Sequence, residues 1–318
     1  MSLTTPVPST IAHRGYKSHA PENTMLAFRL AAEDGEAGAI ETDLHLTRDG
    51  VVVLSHDADL GRCYGLPGVK LKDRDWKDLR DLRTTQEPHE PMPRLRDLLE
   101  WLDGEGRGGM WVMLDIKRHD DAEELVRRTA ETIASVPATQ RPWSERITPC
   151  CWDAKYIRLC LAHLPGFRIT HVGHSTAYAR ALVDQVPGLS VSMLRHALAA
   201  PLTGPRFLRD MRARGVPVHA WTVNEEGWME WCVRKRLAGV ITDDPKRFRD
   251  VCRRMGDGDG KPEMQVEVQR ERVARSVVKG AWFGAEMLLF HILLVLFAGT
   301  TWLRHGSPRR RVREELRG

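Results

Sequence analysis

Four short stretches of the sequence combine side chains that can bind a cation and a phosphate group. In two of them the charged residues stand two positions apart, so on a β-strand both side chains would project from the same face. Two carboxylates on one inward face are costly in a protein core unless a cation satisfies them, which favours a metal-binding role. The four stretches are His13-Arg14-Gly15, Glu41-Thr42-Asp43, His56-Asp57 and Asp115-Ile116-Lys117.

The chemistry that suits this set of residues is cleavage of a phosphodiester. Glu41, Asp43 and Asp115 form an oxygen-only donor set, which hard divalent cations such as Mg²⁺ or Ca²⁺ prefer. A cation held there would neutralise a non-bridging phosphate oxygen. Arg14 can bind phosphate through its planar guanidinium, and Lys117 adds a compact positive charge. The sequence therefore predicts a divalent cation beside a bound phosphodiester.

Two histidines complete the predicted chemistry. His13 and His56 have an unperturbed pKa near neutrality, so they can serve as a general base and a general acid. Structural alternatives exist for several of these residues. His56 alone could be a metal ligand or a hydrogen-bonded core histidine. Asp115 and Lys117 could form a structural ion pair, and Gly15 could simply allow a turn.

The elements that must position these residues are short apolar segments that alternate with amphipathic stretches. Predicted strands cover residues 10–13, 39–46, 51–56, 110–117, 146–152, 168–172, 189–193, 216–223 and 239–242. Only the tight turn Thr47-Arg48-Asp49-Gly50 separates the second strand from the third, so these two are predicted to pair as a hairpin. Eight strands with helical connections then remain. They predict an α/β fold, a (β/α)₈ TIM barrel, with a doubly wound open sheet as the alternative.

A barrel would gather the candidate residues in one place. The carboxyl ends of its strands meet around a single mouth, which brings together side chains that are distant in the sequence. We therefore expect the three carboxylates, two imidazoles, one guanidinium and one ammonium to line one cavity.

Composition and charge narrow the class of partner. The formal net charge is +5 and the pI is about 9.0, which favours anionic partners such as lipid head groups. No stripe of Lys and Arg interleaved with aromatic residues is present, so we expect no nucleic-acid partner. The six cysteines have no CxxC spacing and the N-terminus has no apolar signal segment, so we expect reduced thiols in a domain that faces the cytosol.

A linker and an apolar segment follow the predicted barrel. Residues 256–262 are rich in Gly and Asp, as in a flexible linker. Residues 281–303 are long and apolar enough for a membrane-associated helix, although Glu286 and His291 are costly in hydrocarbon. A helix in one leaflet and a buried C-terminal helix of the barrel are the alternatives. The predicted organisation is an N-terminal arm (1–9), a barrel (10–255), a linker with a basic juxtamembrane stretch (256–279), a membrane-associated helix (280–303) and a basic tail (304–318).

An ordered series of motifs resembles the glycerophosphodiester phosphodiesterase family over residues 10–252. Besides the four stretches above, the motifs are Pro21-Glu22-Asn23-Thr24, Thr47-Arg48-Asp49-Gly50, Trp221-Thr222-Val223-Asn224 and Ile241-Thr242-Asp243-Asp244-Pro245.

The resemblance implies a barrel fold and a role for each matched residue. It implies a divalent ion held by Glu41, Asp43 and Asp115, where many members of the family carry Glu in place of Asp115. It implies that His13 and His56 are the acid–base pair. It also implies phosphate contacts from Arg14 and Lys117, and a pocket position near the substrate glycerol for Trp221.

The Leu-Asp-Ile-Lys form and the apolar C-terminal segment look like the fungal phosphatidylglycerol-specific phospholipase C branch of that family. This implies a membrane phospholipid substrate, cleaved to diacylglycerol and glycerol phosphate, at an anionic membrane surface. The alternatives are a phosphodiesterase for glycerophosphodiesters or lysophospholipids, and a non-catalytic phospholipid-binding barrel. We expect a membrane-associated protein with its catalytic domain facing the cytosol, at a mitochondrion, endoplasmic reticulum or lipid droplet.

Overall fold

The computed structural model of the chain describes residues 7–256 and 307–317. The strands are β1 Ser9–His13, β2 Ala39–Leu46, β3 Val52–Leu54, β4 Asp59–Leu60, β5 Leu66–Lys70, β6 Trp111–Ile116, β7 Ile147–Cys151, β8 Thr170–Gly173, β9 Ser190–Leu194, β10 Val218–Trp221 and β11 Gly239–Thr242. The helices are α1 Met25–Glu33, α2 Gly61–Tyr64, α3 Trp76–Leu79, α4 Leu95–Leu102, α5 Ala122–Ser135, α6 Trp143–Arg146, α7 Ala154–His163, α8 Thr176–Val183, α9 Arg195–Ala199, α10 Gly204–Ala213, α11 Glu226–Arg234, α12 Pro245–Gly256 and α13 Pro308–Arg317.

Eight of the strands form a closed parallel barrel. They follow one another in the order β1, β2, β6, β7, β8, β9, β10 and β11, and β1 pairs with both β2 and β11. A doubly wound sheet would leave two edges open, so this closure confirms the predicted barrel and excludes the alternative. The predicted hairpin is also confirmed, because β3 pairs antiparallel with β2 and sets Leu44 opposite Leu54.

A small two-stranded sheet between β3 and α4 was not predicted. It consists of β4 and β5, which pair antiparallel. β4 is only two residues long, and β5 contains Pro67 and Gly68 and is largely exposed. Neither strand therefore has the apolar run or the alternation that identifies a strand in a sequence.

Two apolar layers hold the barrel together. The outer layer lies between strands and helices, where Leu95, Leu98, Leu99 and Leu102 of α4 are fully buried, as their spacing predicts. The inner layer fills the barrel with a separate cluster: Ile11, Ala39, Met113, Cys150, Val172 and Ile241. Because the interior is packed, the polar residues at the strand ends sit above a closed apolar floor.

The last described helix returns to the barrel wall. α13 packs against α7 and α8, and its Val312 is fully buried. The described part of the predicted basic tail, 307–317, is therefore folded onto the barrel. The predicted membrane-associated helix, 280–303, lies outside the described residues. Among residues 7–256 and 307–317, no helix combines the length and the apolar character that crossing a membrane requires.

Candidate active site

The barrel register brings the predicted residues to one rim. His13 ends β1 and stands beside Glu41 of β2, while Asp43 stands beside Asp115 of β6. Lys117 directly follows β6. Adjacent parallel strands carry these side chains at the same height, so the groups meet although 104 positions separate the first from the last.

A cavity opens at this rim. It is lined by every residue that the sequence singles out, together with Trp152, Ser192 and several apolar side chains of the barrel floor. The singled-out residues are His13, Arg14, Glu41, Asp43, His56, Asp115, Lys117 and Trp221.

Three buried carboxylates form the centre of the site. Glu41, Asp43 and Asp115 each offer an oxygen, and these atoms all lie within 4.8 Å of one another. Burial, and then the neighbouring charges of Asp43 and Asp115, raise the pKa of Glu41 well above its ordinary value. Burial also raises the pKa of Asp115. A bound cation would favour the ionised form of such a cluster, so the donor set fits a hard divalent ion.

Two cations of the chain share Asp43. Lys117 Nζ lies 2.7 Å from Asp43 Oδ1 and 2.6 Å from Asp115 Oδ2. Arg14 Nε lies 3.3 Å from Asp43 Oδ2. Burial alone would raise the pKa of Asp43, but Lys117 and then Arg14 outweigh burial and hold that pKa below its ordinary value. The pair of Asp115 and Lys117 is therefore part of the site and not a separate structural ion pair.

His13 is oriented by a carboxylate from the last strand of the barrel. Its Nδ1 lies 2.6 Å from Asp243 Oδ1, just beyond β11, and its Nε2 lies 4.0 Å from Glu41 Oε2. Asn224 Nδ2 donates to Asp243 Oδ2 at 2.9 Å and fixes that carboxylate. Burial lowers the pKa of His13, although Asp243 opposes this. A neutral imidazole with Nε2 towards the cavity is suited to accept a proton.

His56 is oriented by its neighbour in the sequence. Its Nδ1 lies 2.7 Å from Asp57 Oδ1, and Arg62 Nε donates to Asp57 Oδ2 at 2.7 Å. Arg62 also binds Glu22 through two hydrogen bonds of 2.7 and 2.9 Å. Burial lowers the pKa of His56, and the charge of Asp43 opposes the shift. Both histidines thus share one arrangement, with Nδ1 held by a carboxylate and Nε2 left to exchange protons.

The turn after β1 depends on the absence of a side chain at Gly15. This residue has a φ of +83°, and a Cβ built there would lie 2.7 Å from Ala27 in α1. Arg14 also has a positive φ, of 57°, a conformation that costs a non-glycine residue about 1–3 kcal/mol. The interpretation of Gly15 as a turn residue is therefore correct. The turn places the Arg14 side chain beside the carboxylate cluster.

Three residues around the site were not assigned a role from the sequence. Asn23 Nδ2 donates to Asp43 Oδ2 at 2.9 Å, and Trp152 Nε1 donates to Asp115 Oδ1 at 2.7 Å. The third is Asp243, the partner of His13. Asn23 and Asp243 belong to motifs quoted above, and that membership was the indication in the sequence that they could belong to the site. Trp152 directly follows β7, and its position at the end of a predicted strand was the only indication.

Two tryptophans form one wall of the cavity. The rings of Trp152 and Trp221 meet edge to face, with centroids 5.7 Å apart. Trp221 Nε1 donates to the carbonyl oxygen of Ser192 at 3.0 Å, which fixes the ring. An apolar wall of this kind can pack against the carbon atoms of a small polyol while the charged groups bind its phosphate.

Comparisons with known proteins agree with this geometry. The model of the glycerophosphoryl diester phosphodiesterase family matches residues 13–247. A Mycobacterium tuberculosis protein named "Probable glycerophosphodiester phosphodiesterase 2" is 33% identical over 79% of this chain and 92% of its own length. Glycerophosphodiester phosphodiesterase 1 of Bos taurus is 28% identical over 68% of this chain and 72% of its own length.

Solved structures share the fold. A phosphodiesterase from Oleispira antarctica, solved in complex with the product sn-glycerol-3-phosphate, superposes with a TM-score of 0.66 at 21% identity, over 77% of this chain and 96% of that one. A glycerophosphodiester phosphodiesterase from Parabacteroides distasonis also gives 0.66, at 19% identity, over 79% of this chain and 100% of that one.

Fold, site and comparisons together define a phosphoric diester hydrolase built on a TIM barrel. The chain belongs to the glycerophosphoryl diester phosphodiesterase family. Enzymes of this family use a divalent metal ion, and Glu41, Asp43 and Asp115 are the residues here that could hold it.

Proposed function

We propose that this protein hydrolyses glycerophosphodiesters of small head groups and releases glycerol phosphate. The observation that carries the proposal is the pair of histidines, each held by a carboxylate, on the same cavity as three clustered carboxylates. This arrangement argues against a non-catalytic phospholipid-binding barrel, because binding alone would not require two oriented imidazoles.

Glu41, Asp43 and Asp115 would hold the ion, which we propose to be Mg²⁺ or Ca²⁺ because all the donors are carboxylate oxygens. A divalent ion at such a site acts as a Lewis acid towards a phosphate oxygen. Arg14 and Lys117 border the same carboxylates and would bind the remaining phosphate oxygens. In this proposal the substrate phosphate lies at the rim and the glycerol points towards Trp221.

The two histidines would divide the proton transfers between them. In our proposal His13 Nε2 accepts the proton of the glycerol hydroxyl next to the phosphoester, and that oxygen attacks phosphorus. His56 Nε2 donates a proton to the departing alcohol oxygen, and water then opens the resulting cyclic phosphate. Burial lowers the pKa of both imidazoles, which leaves His13 neutral near pH 7. The charge of Asp43 opposes the pKa shift of His56 and so favours the protonated form that would donate.

The names of the relatives favour a soluble glycerophosphodiester over a bilayer lipid. The two relatives described above are named as glycerophosphodiester phosphodiesterases, and the Oleispira antarctica enzyme was solved with sn-glycerol-3-phosphate as its product. The same product would leave this cavity after cleavage of a diester such as glycerophosphocholine.

Phosphatidylglycerol is the second candidate substrate. Its specific support is the apolar sequence 281–303 with the arginine-rich stretch beyond it, which would bring the enzyme to anionic lipid. In that case the enzyme would act as a phospholipase C and release diacylglycerol together with glycerol phosphate.

We also propose that residues 280–303 associate with a cytosol-facing membrane surface. The support for this proposal is the apolar sequence 281–303 and the arginine-rich stretch that follows it. Flotation of the full chain with vesicles containing phosphatidylglycerol, but not with phosphatidylcholine vesicles, would support this; equal flotation would count against it.

A substrate panel tests the proposed reaction. Purified protein with Mg²⁺ or Ca²⁺ is offered glycerophosphocholine in solution and, separately, phosphatidylglycerol in mixed vesicles, and the phosphorus products are identified by ³¹P NMR. We expect glycerol phosphate from glycerophosphocholine. Turnover of phosphatidylglycerol alone would make the phospholipase C reading the correct one. Turnover of neither substrate with either ion would contradict the proposed function.

A further inference from the structure

The C-terminal helix α13 lies directly behind a loop of the active site. It packs against α7 and α8, with Val312 fully buried and the Arg311 guanidinium 4.9 Å from the centre of the Tyr178 ring. The family match ends at residue 247, before α13. The position of the helix raises the question of what it does for the site.

Glu315 of this helix binds the first residue of α7. Its Oε2 accepts hydrogen bonds from the Ala154 amide, at 3.2 Å, and from the Tyr178 hydroxyl. Arg311 Nε donates to the other oxygen of Glu315 at 2.6 Å and holds the carboxylate in place. The first amides of a helix have no partner within it, and an anion there is further favoured by the helix dipole. The same Ala154 amide also donates to the Tyr178 hydroxyl oxygen at 3.1 Å, so Glu315 anchors the start of α7 both directly and by holding Tyr178.

The anchored residue is two positions from a contact to the metal cluster. Trp152 Nε1 donates to Asp115 Oδ1 at 2.7 Å, while Lys117 binds Asp115 Oδ2. Arg118 lies against the same loop, with its guanidinium 5.9 Å from the Trp152 ring and 3.8 Å from Asp153. The orientation of the Asp115 carboxylate thus depends on where the loop places the Trp152 ring.

We propose that the C-terminal helix is a positioning element of the metal site. Glu315 fixes the start of α7, the start of α7 fixes Trp152, and Trp152 orients the carboxylate of Asp115 for the ion. The inference rests on the proposed use of Glu41, Asp43 and Asp115 as ligands, and it adds a positioning residue 200 positions from the ligand that it serves. Groups that orient metal ligands contribute about 10- to 100-fold to metal affinity or activity.

Neighbouring residues of α13 provide a matched pair of variants. Glu315→Ala removes the anchor, whereas Glu314→Ala removes the adjacent carboxylate, which is exposed and pairs with Arg310 at 2.7 Å. Mg²⁺ and Ca²⁺ are titrated calorimetrically into the full, metal-free chain without substrate, and melting temperatures are recorded. We expect Glu315→Ala to weaken binding about 3- to 10-fold, less than the direct partner variant Trp152→Phe at about 10- to 100-fold. Glu314→Ala should bind as the unmodified chain does.

The titration separates positioning from general stabilisation. Equal affinity in Glu315→Ala and Glu314→Ala, with only the melting temperature lowered in the first, would overturn the inference. Failure of the unmodified chain to bind either ion would instead contradict the proposed metal site itself. If Glu315→Ala does not fold, Glu315→Gln keeps an oxygen acceptor for Ala154, and a smaller loss of affinity in the same direction is then expected.

Discussion

Lys117 Nζ lies 2.7 Å from Asp43 Oδ1, so the chain supplies its own counter-charge at the centre of the carboxylate cluster. With Arg14, two cations face three carboxylates, and one negative charge is left uncompensated when all three are ionised. A divalent ion would turn this surplus into a single positive charge, which matches the single negative charge of a phosphodiester. Within these five groups, which leave out the Glu22 partner of Arg14, the charges of ion and substrate are balanced.

Replacing Lys117 should affect ion and substrate in opposite directions. Lys117→Gln removes a competing cation, so we expect tighter binding of Mg²⁺ or Ca²⁺ in the absence of substrate. The anionic diester loses a charged partner, so its KM should rise about tenfold or more. Calorimetry and steady-state kinetics measure the two effects. Lys155→Gln, on the exposed face of α7, is the control. A weaker affinity for both ion and substrate would contradict the charge balance.

The charge at position 115 should matter more than the length of the side chain. Asp115→Asn loses the negative charge, and we expect kcat/KM to fall about 100-fold, in line with the loss of several kcal/mol of charge stabilisation by the ion. Asp115→Glu keeps the charge, so it should retain at least about a tenth of the activity. Comparable losses in both variants would show that Trp152 and Lys117 demand the shorter side chain.

The two histidines should have separable roles. His13→Gln and His56→Gln should each lower kcat about 10²- to 10⁴-fold with unchanged metal affinity, since neither is placed as a ligand. A p-nitrophenyl phosphodiester of glycerol has a leaving group that needs no protonation. It should therefore restore turnover in His56→Gln but not in His13→Gln.

A matched control for the two site histidines is His163→Gln. His163 is the last residue of α7, it does not line the cavity, and it pairs with Glu123. Its kcat should equal that of the unmodified chain. If the activated substrate restored turnover in His13→Gln instead of His56→Gln, the proposed roles of general base and general acid would have to be exchanged.

Two buried histidines should make the fold sensitive to acid. Burial lowers the pKa of both His171 and His219 from 6.5 to about 4. Between these values the unfolded chain binds protons that the folded chain does not, so the free energy of unfolding should fall as the pH drops from about 6.5 to about 4. The slope is at most about 1.4 kcal/mol per pH unit for each histidine. Urea unfolding at pH 7, 6 and 5 should give a shallower slope for His219→Gln; an unchanged slope would exclude this cause.

Much of the fold and most of the site could be predicted from local patterns. The strand Ala39–Leu46 is a short segment with apolar residues at both ends and turn residues beyond them, and its period of two places Glu41 and Asp43 on one face. The barrel then follows from the number and spacing of such runs. Patterns of this kind involve only residues that are close together in the chain, so they can be recognised in a single sequence.

The remaining contacts depend on packing between distant segments. Trp152 reaches Asp115 only because β6 and β7 are neighbours in register, and Asp243 reaches His13 only because the barrel closes between β1 and β11. The helix Pro308–Arg317 is mostly charged, which favoured the prediction of a basic tail. Its docking depends on Val312 and on the fit of Glu315 to α7, and no periodicity in the sequence indicates either.

The most direct test of the central claim is metal-dependent turnover in the chelated enzyme. Release of glycerol phosphate from glycerophosphocholine is followed after removal of metal and again after Mg²⁺ or Ca²⁺ is restored, in the unmodified chain and in Glu41→Gln. We predict that the unmodified chain loses activity on chelation and regains it with the ion, whereas Glu41→Gln, correctly folded by circular dichroism, stays inactive. Undiminished turnover in the chelated enzyme, or full activity of Glu41→Gln, would contradict a catalytic cation held by Glu41, Asp43 and Asp115.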